Sequence, residues 1–124
     1  MSKNLNILAV DDDFINLKLL KSMLSKNPDI AEVIEAKNGA DAINILKERS
    51  DIDMILLDII MPVMGGLEML QIVRADENLK QLPIIVLTTD ETKKTEALEL
   101  GANGFLMKPV RAADVANKIA TLAL

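Results

Sequence analysis

The chain has 124 residues, half of them hydrophobic, and a formal net charge of −5. This is the length of one domain, with enough apolar residues to form a core without disulfides or a structural metal. The absence of cysteine and histidine excludes thiolate zinc sites, thiol nucleophiles and Ser-His-Asp triads. Any bound metal therefore needs oxygen ligands, which favours magnesium, calcium or manganese.

Charge and hydropathy also limit the partners. The acidic balance argues against a general nucleic-acid surface, and two phenylalanines do not suffice for a base-stacking platform. The apolar runs are too short to span a bilayer, and the first residues lack the apolar stretch of a signal peptide. We therefore expect a cytoplasmic protein without membrane insertion, and we interpret residues 1–124 as a single domain.

Strand-like apolar runs alternate with helix-period segments along the chain. In chain order, the predicted elements are strand 5–10, helix 14–26, strand 32–36, helix 40–49, strand 53–57, helix 67–74, strand 83–88, helix 91–100, strand 104–107 and helix 112–122. Strands that are continuously apolar, rather than alternating, indicate burial on both faces of a parallel sheet. Because strand-helix-strand units are right-handed, helices should cover both faces, which predicts an α/β fold.

Polar residues stand at the ends of four predicted strands. They are Asp11 and Asp12, Asp58, Thr88 with Thr89, and Lys108. Singly, most have structural explanations: an aspartate after a strand often caps the next helix, as we expect of Asp13, and a threonine ending a strand reflects β-propensity. Asp58 differs because it extends a strongly apolar run, and a buried carboxylate needs a partner. Since ligands bind at the carboxyl ends of parallel strands, these side chains should converge on one site.

Together these residues predict phosphoryl chemistry supported by a divalent cation. Asp12 and Asp58 can share Mg²⁺ (or Mn²⁺), with the backbone carbonyl of Ile60 as a further ligand and Asp11 acting directly or through water. The metal neutralises an incoming phosphoryl group, which Asp58 attacks as a carboxylate nucleophile. Lys108 then contacts one phosphoryl oxygen and the Thr88 hydroxyl another.

Three segments carry a family resemblance that extends over the whole chain. They are residues 7–12 (ILAVDD), 57–66 (LDIIMPVMGG) and 101–109 (GANGFLMKP). In this order and spacing they resemble the receiver domains of two-component response regulators, the CheY-like superfamily. The resemblance implies a flavodoxin-like (βα)5 fold with strand order 2-1-3-4-5 and a cis Lys108–Pro109 peptide bond. It also implies a signalling switch that accepts a phosphoryl group on Asp58 from a histidine kinase or a phosphotransfer protein, and catalyses only its own phosphorylation and dephosphorylation.

The resemblance further identifies Thr88 and Phe105 as a switch pair. On phosphorylation the hydroxyl would swing toward the phosphoryl group and the ring would turn inward, remodelling the surface of the fourth helix, fifth strand and fifth helix. Phe105 has an alternative interpretation as a plain core aromatic. The implied output is a downstream protein target or a fused effector, with the domain monomeric or dimerising on phosphorylation. The sequence identifies neither the kinase nor the output, and leaves open whether the domain acts alone or within a longer regulator.

Four residues depart from the family pattern near the site. Ile60 cannot hydrogen-bond an attacking water, and Thr89 stands where a smaller residue is frequent, so we expect slow hydrolysis of the acyl phosphate. Asp90 lies close enough to repel anions or to hold a water. Val110 replaces a frequent phenylalanine, which predicts altered partner docking.

Two rival functions have weaker support. A phosphohydrolase of the haloacid-dehalogenase type would need a second aspartate two residues after its nucleophile, where this chain has Ile60. A flavin or nucleotide module would need a glycine-rich loop after the first strand, where Asp11, Asp12 and Asp13 would repel phosphate. Treatment with magnesium and a small phosphodonor, followed by intact mass, separates all three hypotheses.

Overall fold

The computed structural model describes residues 3–122 as five parallel strands in one sheet, flanked by helices. The strands are β1 (Leu5–Val10), β2 (Ile30–Ala36), β3 (Met54–Asp58), β4 (Ile84–Thr88) and β5 (Gly104–Met107). The helices are α1 (Phe14–Ser25), α2 (Gly39–Glu48), α3 (Gly66–Ala75), α4 (Lys94–Glu99) and α5 (Ala112–Leu122), with a 3₁₀ turn over Glu91–Lys93. The sheet order β2-β1-β3-β4-β5 confirms the predicted flavodoxin-like arrangement.

Helices cover both faces of the sheet, and the central strands contribute to both layers of the core. Within β3, Met54 and Leu56 pack toward α1 and α5, whereas Ile55 and Leu57 pack toward α2, α3 and α4. This two-sided burial is why the central strands are continuously apolar. Among residues 3–122, no helix combines the length and the apolar character that spanning a membrane requires.

Two elements differ from their predicted bounds by more than one residue. β2 begins at Ile30, two residues before the predicted start, and pairs with Leu5 through an irregular register. This edge strand exposes Ala31 and Glu32, which weakens its apolar pattern. The predicted helix 91–100 is instead a 3₁₀ turn followed by the short α4, whose buried residue is Ala97. α4 is therefore anchored to the core by little apolar contact.

Side-chain caps fix the loops at the carboxyl edge of the sheet. Asp13 caps α1, as predicted, by accepting hydrogen bonds from the backbone N–H groups of Ile15 and Asn16. Asn38 caps α2 in the same way through the N–H of Asp41, at 2.8 Å. These bonds satisfy N–H groups that the first turn of a helix leaves free. They hold the loops after β1 and β2 in defined positions.

The guanidinium of Arg74, in the last turn of α3, forms hydrogen bonds with two loops. One loop precedes β4 and the other follows α4. Its Nε donates to the Gly101 carbonyl (2.9 Å), and its Nη1 donates to the carbonyls of Lys80 (3.0 Å) and Leu82 (2.8 Å). Its Nη2 donates to Asn103 Oδ1 (2.8 Å). Gly101 has φ of +110°, and a Cβ there would lie 2.9 Å from the Arg74 side chain. The loop between α4 and β5 is thus tied to α3 and to the loop before β4.

Replacing Arg74 with methionine is expected to lower the free energy of unfolding by about 2 to 3 kcal/mol, because the part-buried carbonyl groups of Gly101 and Leu82 lose a charged donor. Arg111→Met is the matched control, since Arg111 is exposed at the start of α5. Urea unfolding of both variants measures the difference. Equal midpoints for the two variants would show that the Arg74 bonds contribute nothing net.

Candidate functional site

Three carboxylates meet at the carboxyl edge of the sheet. β1 and β3 are neighbours, with Val10 paired to Leu57, so Asp11, Asp12 and Asp58 emerge side by side. One carboxylate oxygen from each lies within 4.8 Å of the other two. The Asp11 and Asp58 side chains are only 8% and 13% exposed, whereas Asp12 is exposed. The predicted convergence of these three residues is therefore found in the structure.

Lys108 completes the cluster from β5, two strands away from Asp58. Its Nζ lies 2.8 Å from Asp11 Oδ2 and 3.3 Å from Asp58 Oδ1. The backbone N–H of Lys108 donates to the Thr88 carbonyl at 2.8 Å, and the Lys108–Pro109 peptide bond is cis, as the resemblance implied. The site holds three carboxylates and one ammonium, which pairs with Asp11 and Asp58, so the cluster has an excess of negative charge. An excess of this kind favours a bound cation.

Burial and charge act in opposite directions on the two paired groups. Burial raises the pKa of the Asp58 carboxyl, the nearby Asp11 charge raises it further, and the Lys108 ammonium opposes both. For Lys108, burial lowers the pKa, but the hydrogen bond to Asp11 and the charge of Asp58 outweigh it and raise the pKa overall. Lys108 therefore stays protonated at neutral pH. Because burial raises the pKa of Asp58, ionising this carboxyl costs the folded state free energy.

In the absence of divalent metal, Asp58→Asn is expected to raise the free energy of unfolding at pH 7 by about 1 kcal/mol. The Asp58 pKa is raised on folding, so the parent loses stability as pH rises through the range between the unfolded and folded pKa values. The difference between variant and parent should therefore shrink as pH falls below that range. Urea unfolding of both proteins in chelator at pH 3 to 7 measures it, and a variant less stable than the parent at pH 7 would contradict the prediction.

The loop between β3 and α3 is held tightly against the cluster. The N–H of Gly66 donates to the Ile59 carbonyl at 2.8 Å, and the Gly66 Cα stands directly against the Asp58 backbone. Val63 has φ of +67°, a conformation that β-branched residues rarely adopt, and the N–H of Met64 donates across it to the Pro62 carbonyl. The Ile60 side chain is 65% exposed, while its carbonyl as a metal ligand stays a prediction.

Thr88 and Phe105 lie on one face of the sheet, on adjacent strands. Phe105 pairs with Val86, two residues before Thr88, and packs against the core beneath α2, α3 and α4. Thr88 is 1% exposed, and its Oγ1 accepts the N–H of Asp90 at 3.1 Å. The Phe105 side chain is only partly buried. The arrangement suits a switch pair, and the interpretation of Phe105 as a plain core aromatic also remains compatible with it.

The departures from the family pattern occupy distinct places. Thr89 is exposed and lines a groove of about 440 Å³ between α1 and Val110, beside Lys108. The Asp90 carboxylate accepts from the N–H and the hydroxyl of Thr92, and these bonds lower the Asp90 pKa. This cap was not predicted from the sequence, although an aspartate directly before a predicted helix is a recognisable capping signal.

The groove beside Lys108 was also missed at the sequence level. On α1 it is lined by Asn16, Leu19, Leu20 and Met23. Leu19 is 61% exposed and falls outside the buried stripe of Leu17, Leu20 and Leu24. Leu19 is an apolar residue outside the buried face of α1, and this feature of the sequence could have indicated the groove.

A five-stranded parallel sheet with an acidic cluster and a lysine at its carboxyl edge defines a receiver-type signalling domain. The chain belongs to the response regulator receiver domain family, whose model matches residues 7–120. It is a phosphorylation-activated switch of two-component signal transduction, and this confirms the function that the sequence predicted.

Individual relatives agree with this assignment. The chain is 35% identical to chemotaxis protein CheY-3 of Vibrio cholerae, over 96% of this chain and 92% of the relative. It superposes on a putative response regulator from Chloroflexus aurantiacus with a TM-score of 0.90 at 28% identity, covering 98% of each chain. The receiver domain of a sensor histidine kinase from Pseudomonas aeruginosa, solved with magnesium coordinated in its active-site cleft, gives a TM-score of 0.85 at 26% identity, covering 98% of this chain and 99% of that one.

Proposed function

We propose that Asp58 is the phosphoacceptor of this receiver domain and takes its phosphoryl group from a phosphohistidine of a histidine kinase or a phosphotransfer protein. One observation carries the proposal: the largely buried Asp58 carboxylate lies 3.3 Å from Lys108 Nζ and within 4.8 Å of Asp11 and Asp12. Asp58 is thus the member of the cluster that combines burial, an ammonium neighbour and a raised pKa.

In the proposed reaction, a carboxylate oxygen of Asp58 attacks the phosphorus atom in line with the leaving imidazole. The new bond is an oxygen–phosphorus bond, the phosphorus–nitrogen bond of the donor breaks, and its electron pair stays on the imidazole, which takes a proton. Lys108, already 3.3 Å from Asp58, is close enough to donate to a phosphoryl oxygen. The Thr88 hydroxyl donates to a second oxygen after it turns from its present partner.

The donor set fits Mg²⁺ or Mn²⁺. We propose Asp11, Asp12 and Asp58 as the residues that hold the ion, with the Ile60 carbonyl as a further oxygen ligand. Three carboxylates and one ammonium suit a hard divalent cation that keeps several waters. When bound, the ion neutralises charge on the transferring phosphoryl group. The magnesium in the cleft of the Pseudomonas aeruginosa receiver supports the same assignment here.

Asp12→Asn is expected to weaken Mg²⁺ binding on the order of tenfold, because it removes a full negative charge from an oxygen-only site. Asp13→Asn is the control: Asp13 adjoins the cluster but caps α1, a role that asparagine fills equally well. Calorimetric titration with Mg²⁺ compares the two variants with the parent. Parent-like affinity in Asp12→Asn would remove Asp12 from the site.

The proposal is tested by incubating the protein with acetyl phosphate and Mg²⁺ and measuring its intact mass. One added phosphoryl group is expected, and none when the metal is chelated. Borohydride reduces an acyl phosphate of aspartate to homoserine, so peptide mapping locates the modified residue. Homoserine at position 58 supports the assignment, and stoichiometric modification at any other position overturns it.

We further propose that the whole of residues 1–124 acts as one receiver domain and turns over no other substrate. A phosphohydrolase would release phosphate from small phosphoesters through many turnovers, so a single turnover per chain distinguishes the two. The output is a downstream protein or a fused effector, and the domain is a monomer or a phosphorylation-dependent dimer. The chain covers 92% of the length of CheY-3, which supports a domain that acts on a separate protein. The receiver of a sensor kinase supports a domain that acts within a longer protein.

A further inference from the structure

The connection between β4 and α4 is held by two consecutive hydrogen-bonded contacts around Asp90. On its backbone side, the Asp90 N–H donates to Thr88 Oγ1 at 3.1 Å. On its side-chain side, Asp90 Oδ1 accepts the N–H of Thr92 at 3.0 Å and also the Thr92 hydroxyl. These last two bonds cap the 3₁₀ turn Glu91–Lys93, which continues directly into α4. We call them the Asp90–Thr92 cap.

We infer that Asp90 and Thr92 are positioning residues that set the resting orientation of Thr88, and thereby the affinity of the site for a phosphoryl group. The inference deepens the proposed function and rests on it. Thr88 Oγ1 is the acceptor for Asp90, and the Asp90–Thr92 cap fixes the peptide that carries this N–H. A fixed donor favours the rotamer in which the Thr88 oxygen faces Asp90.

The two states of Thr88 compete for one oxygen atom. A change of rotamer moves Oγ1 by roughly 2.5 Å, too far to keep a hydrogen bond to Asp90. When the hydroxyl turns to a phosphoryl oxygen, the Asp90 N–H therefore loses its acceptor, and the peptide must move. The Asp90–Thr92 cap resists that movement, so it stabilises the resting state more than the phosphorylated one.

The rest of α4 allows the movement to occur at this end of the helix. Ala97 is the buried side chain of α4, and the loop that follows is tied to Arg74 through Gly101 and Asn103. The first turn of α4 therefore rearranges while its last turn stays anchored. Thr92 is exposed, so its hydroxyl can be removed without opening the core.

Thr92→Val tests the inference, because it deletes the hydroxyl while keeping the β-branched shape. The probe is beryllofluoride, a phosphoryl mimic, titrated at fixed Mg²⁺. Thr92→Val should bind it roughly fivefold more tightly than the parent, the ratio that one lost capping bond gives when it favours one state. Thr92→Ser, which retains the hydroxyl, should restore the parent affinity, and Thr95→Val, on the exposed next turn, should leave it unchanged.

A cap that is merely structural would stabilise both states equally and shift neither. Thr92→Val would then lower the unfolding midpoint yet bind beryllofluoride with the parent affinity, and that result overturns the inference. Failure of the proposed function would look different, because the parent itself would then not bind beryllofluoride at the Asp58 site. Thr88→Val tests the role of Thr88: if beryllofluoride changes the amide shifts of Phe105 and Met107 as much in Thr88→Val as in the parent, Thr88 is not the switch and the inference is wrong, while Asp58 stays the proposed phosphoacceptor. If those changes are lost in Thr88→Val but Thr92→Val has parent affinity, the cap inference alone is wrong.

Discussion

Asp58→Asn is expected to abolish phosphorylation while leaving a folded and more stable protein. The asparagine amide keeps the shape of the side chain but has no anionic oxygen to attack phosphorus. The substitution also removes a charge whose burial raises the pKa of Asp58, so loss of phosphorylation cannot be ascribed to unfolding. Intact mass after treatment with acetyl phosphate and Mg²⁺ gives the extent of modification.

Asp13→Asn provides the matched control for this experiment. It removes a carboxylate from the same edge of the sheet, yet Asp13 lies outside the cluster and serves as the cap of α1. Its phosphorylation should equal that of the parent. Retention of a full phosphoryl mass in Asp58→Asn would mean that another carboxylate accepts the group and that the assignment of the site is wrong.

Gly66→Ala is expected to give the largest loss of stability among single-methyl changes near the site, roughly 3 kcal/mol. A Cβ at Gly66 would overlap the Asp58 carbonyl and stand 2.9 Å from the Ile59 Cα, and both obstacles are backbone atoms. Helix propensity alone predicts the opposite sign, because alanine is favoured over glycine within a helix. The sign of the measured change therefore decides between close packing and propensity.

Gly104→Ala serves as the control for the added methyl group. Its Cβ would meet its nearest neighbour, Lys118 Cδ, at 3.5 Å, an ordinary contact. Its unfolding midpoint in urea should stay close to that of the parent. Because a Cβ at Gly66 would press on the Asp58 backbone, Gly66→Ala should also weaken Mg²⁺ binding, whereas Gly104→Ala should not. Parent-like stability in Gly66→Ala would show that the loop can move aside at little cost.

The sequence predicted the clustering of the acidic residues and Lys108 better than it predicted the element boundaries. Asp11, Asp12, Asp58 and Lys108 could be placed together because parallel strands end at a common edge, a property that depends only on strand order. The start of β2 at Ile30 was missed because an edge strand with exposed Ala31 and Glu32 lacks the continuous apolar pattern of a central strand. The sequence therefore predicts sheet topology well where both faces of a strand are buried. It predicts the exact start and pairing of an edge strand less well.

The contacts around α4 could not be predicted from local pattern. From the sequence, Arg74 is predicted only to be a cation in the last turn of a helix, where it stabilises the helix through its dipole. Its actual role depends on the Gly101 and Asn103 positions, 27 and 29 residues away. The division of the predicted helix 91–100 follows from the cap at Asp90 and from the scarcity of buried residues in α4. Such features depend on tertiary distances, which periodicity does not encode.

The ion pair between Asp11 and Lys108 joins residues 97 positions apart in a chain of 124 residues. A chain still being synthesised therefore carries all three acidic residues long before the ribosome has added the lysine that completes the site. Until the fifth strand is translated and paired, the aspartates have neither their ammonium partner nor a finished sheet edge. Competence to receive a signal is thus acquired only after the fifth strand of this domain and Lys108 have been translated, and a chain truncated before that strand is expected not to be phosphorylated.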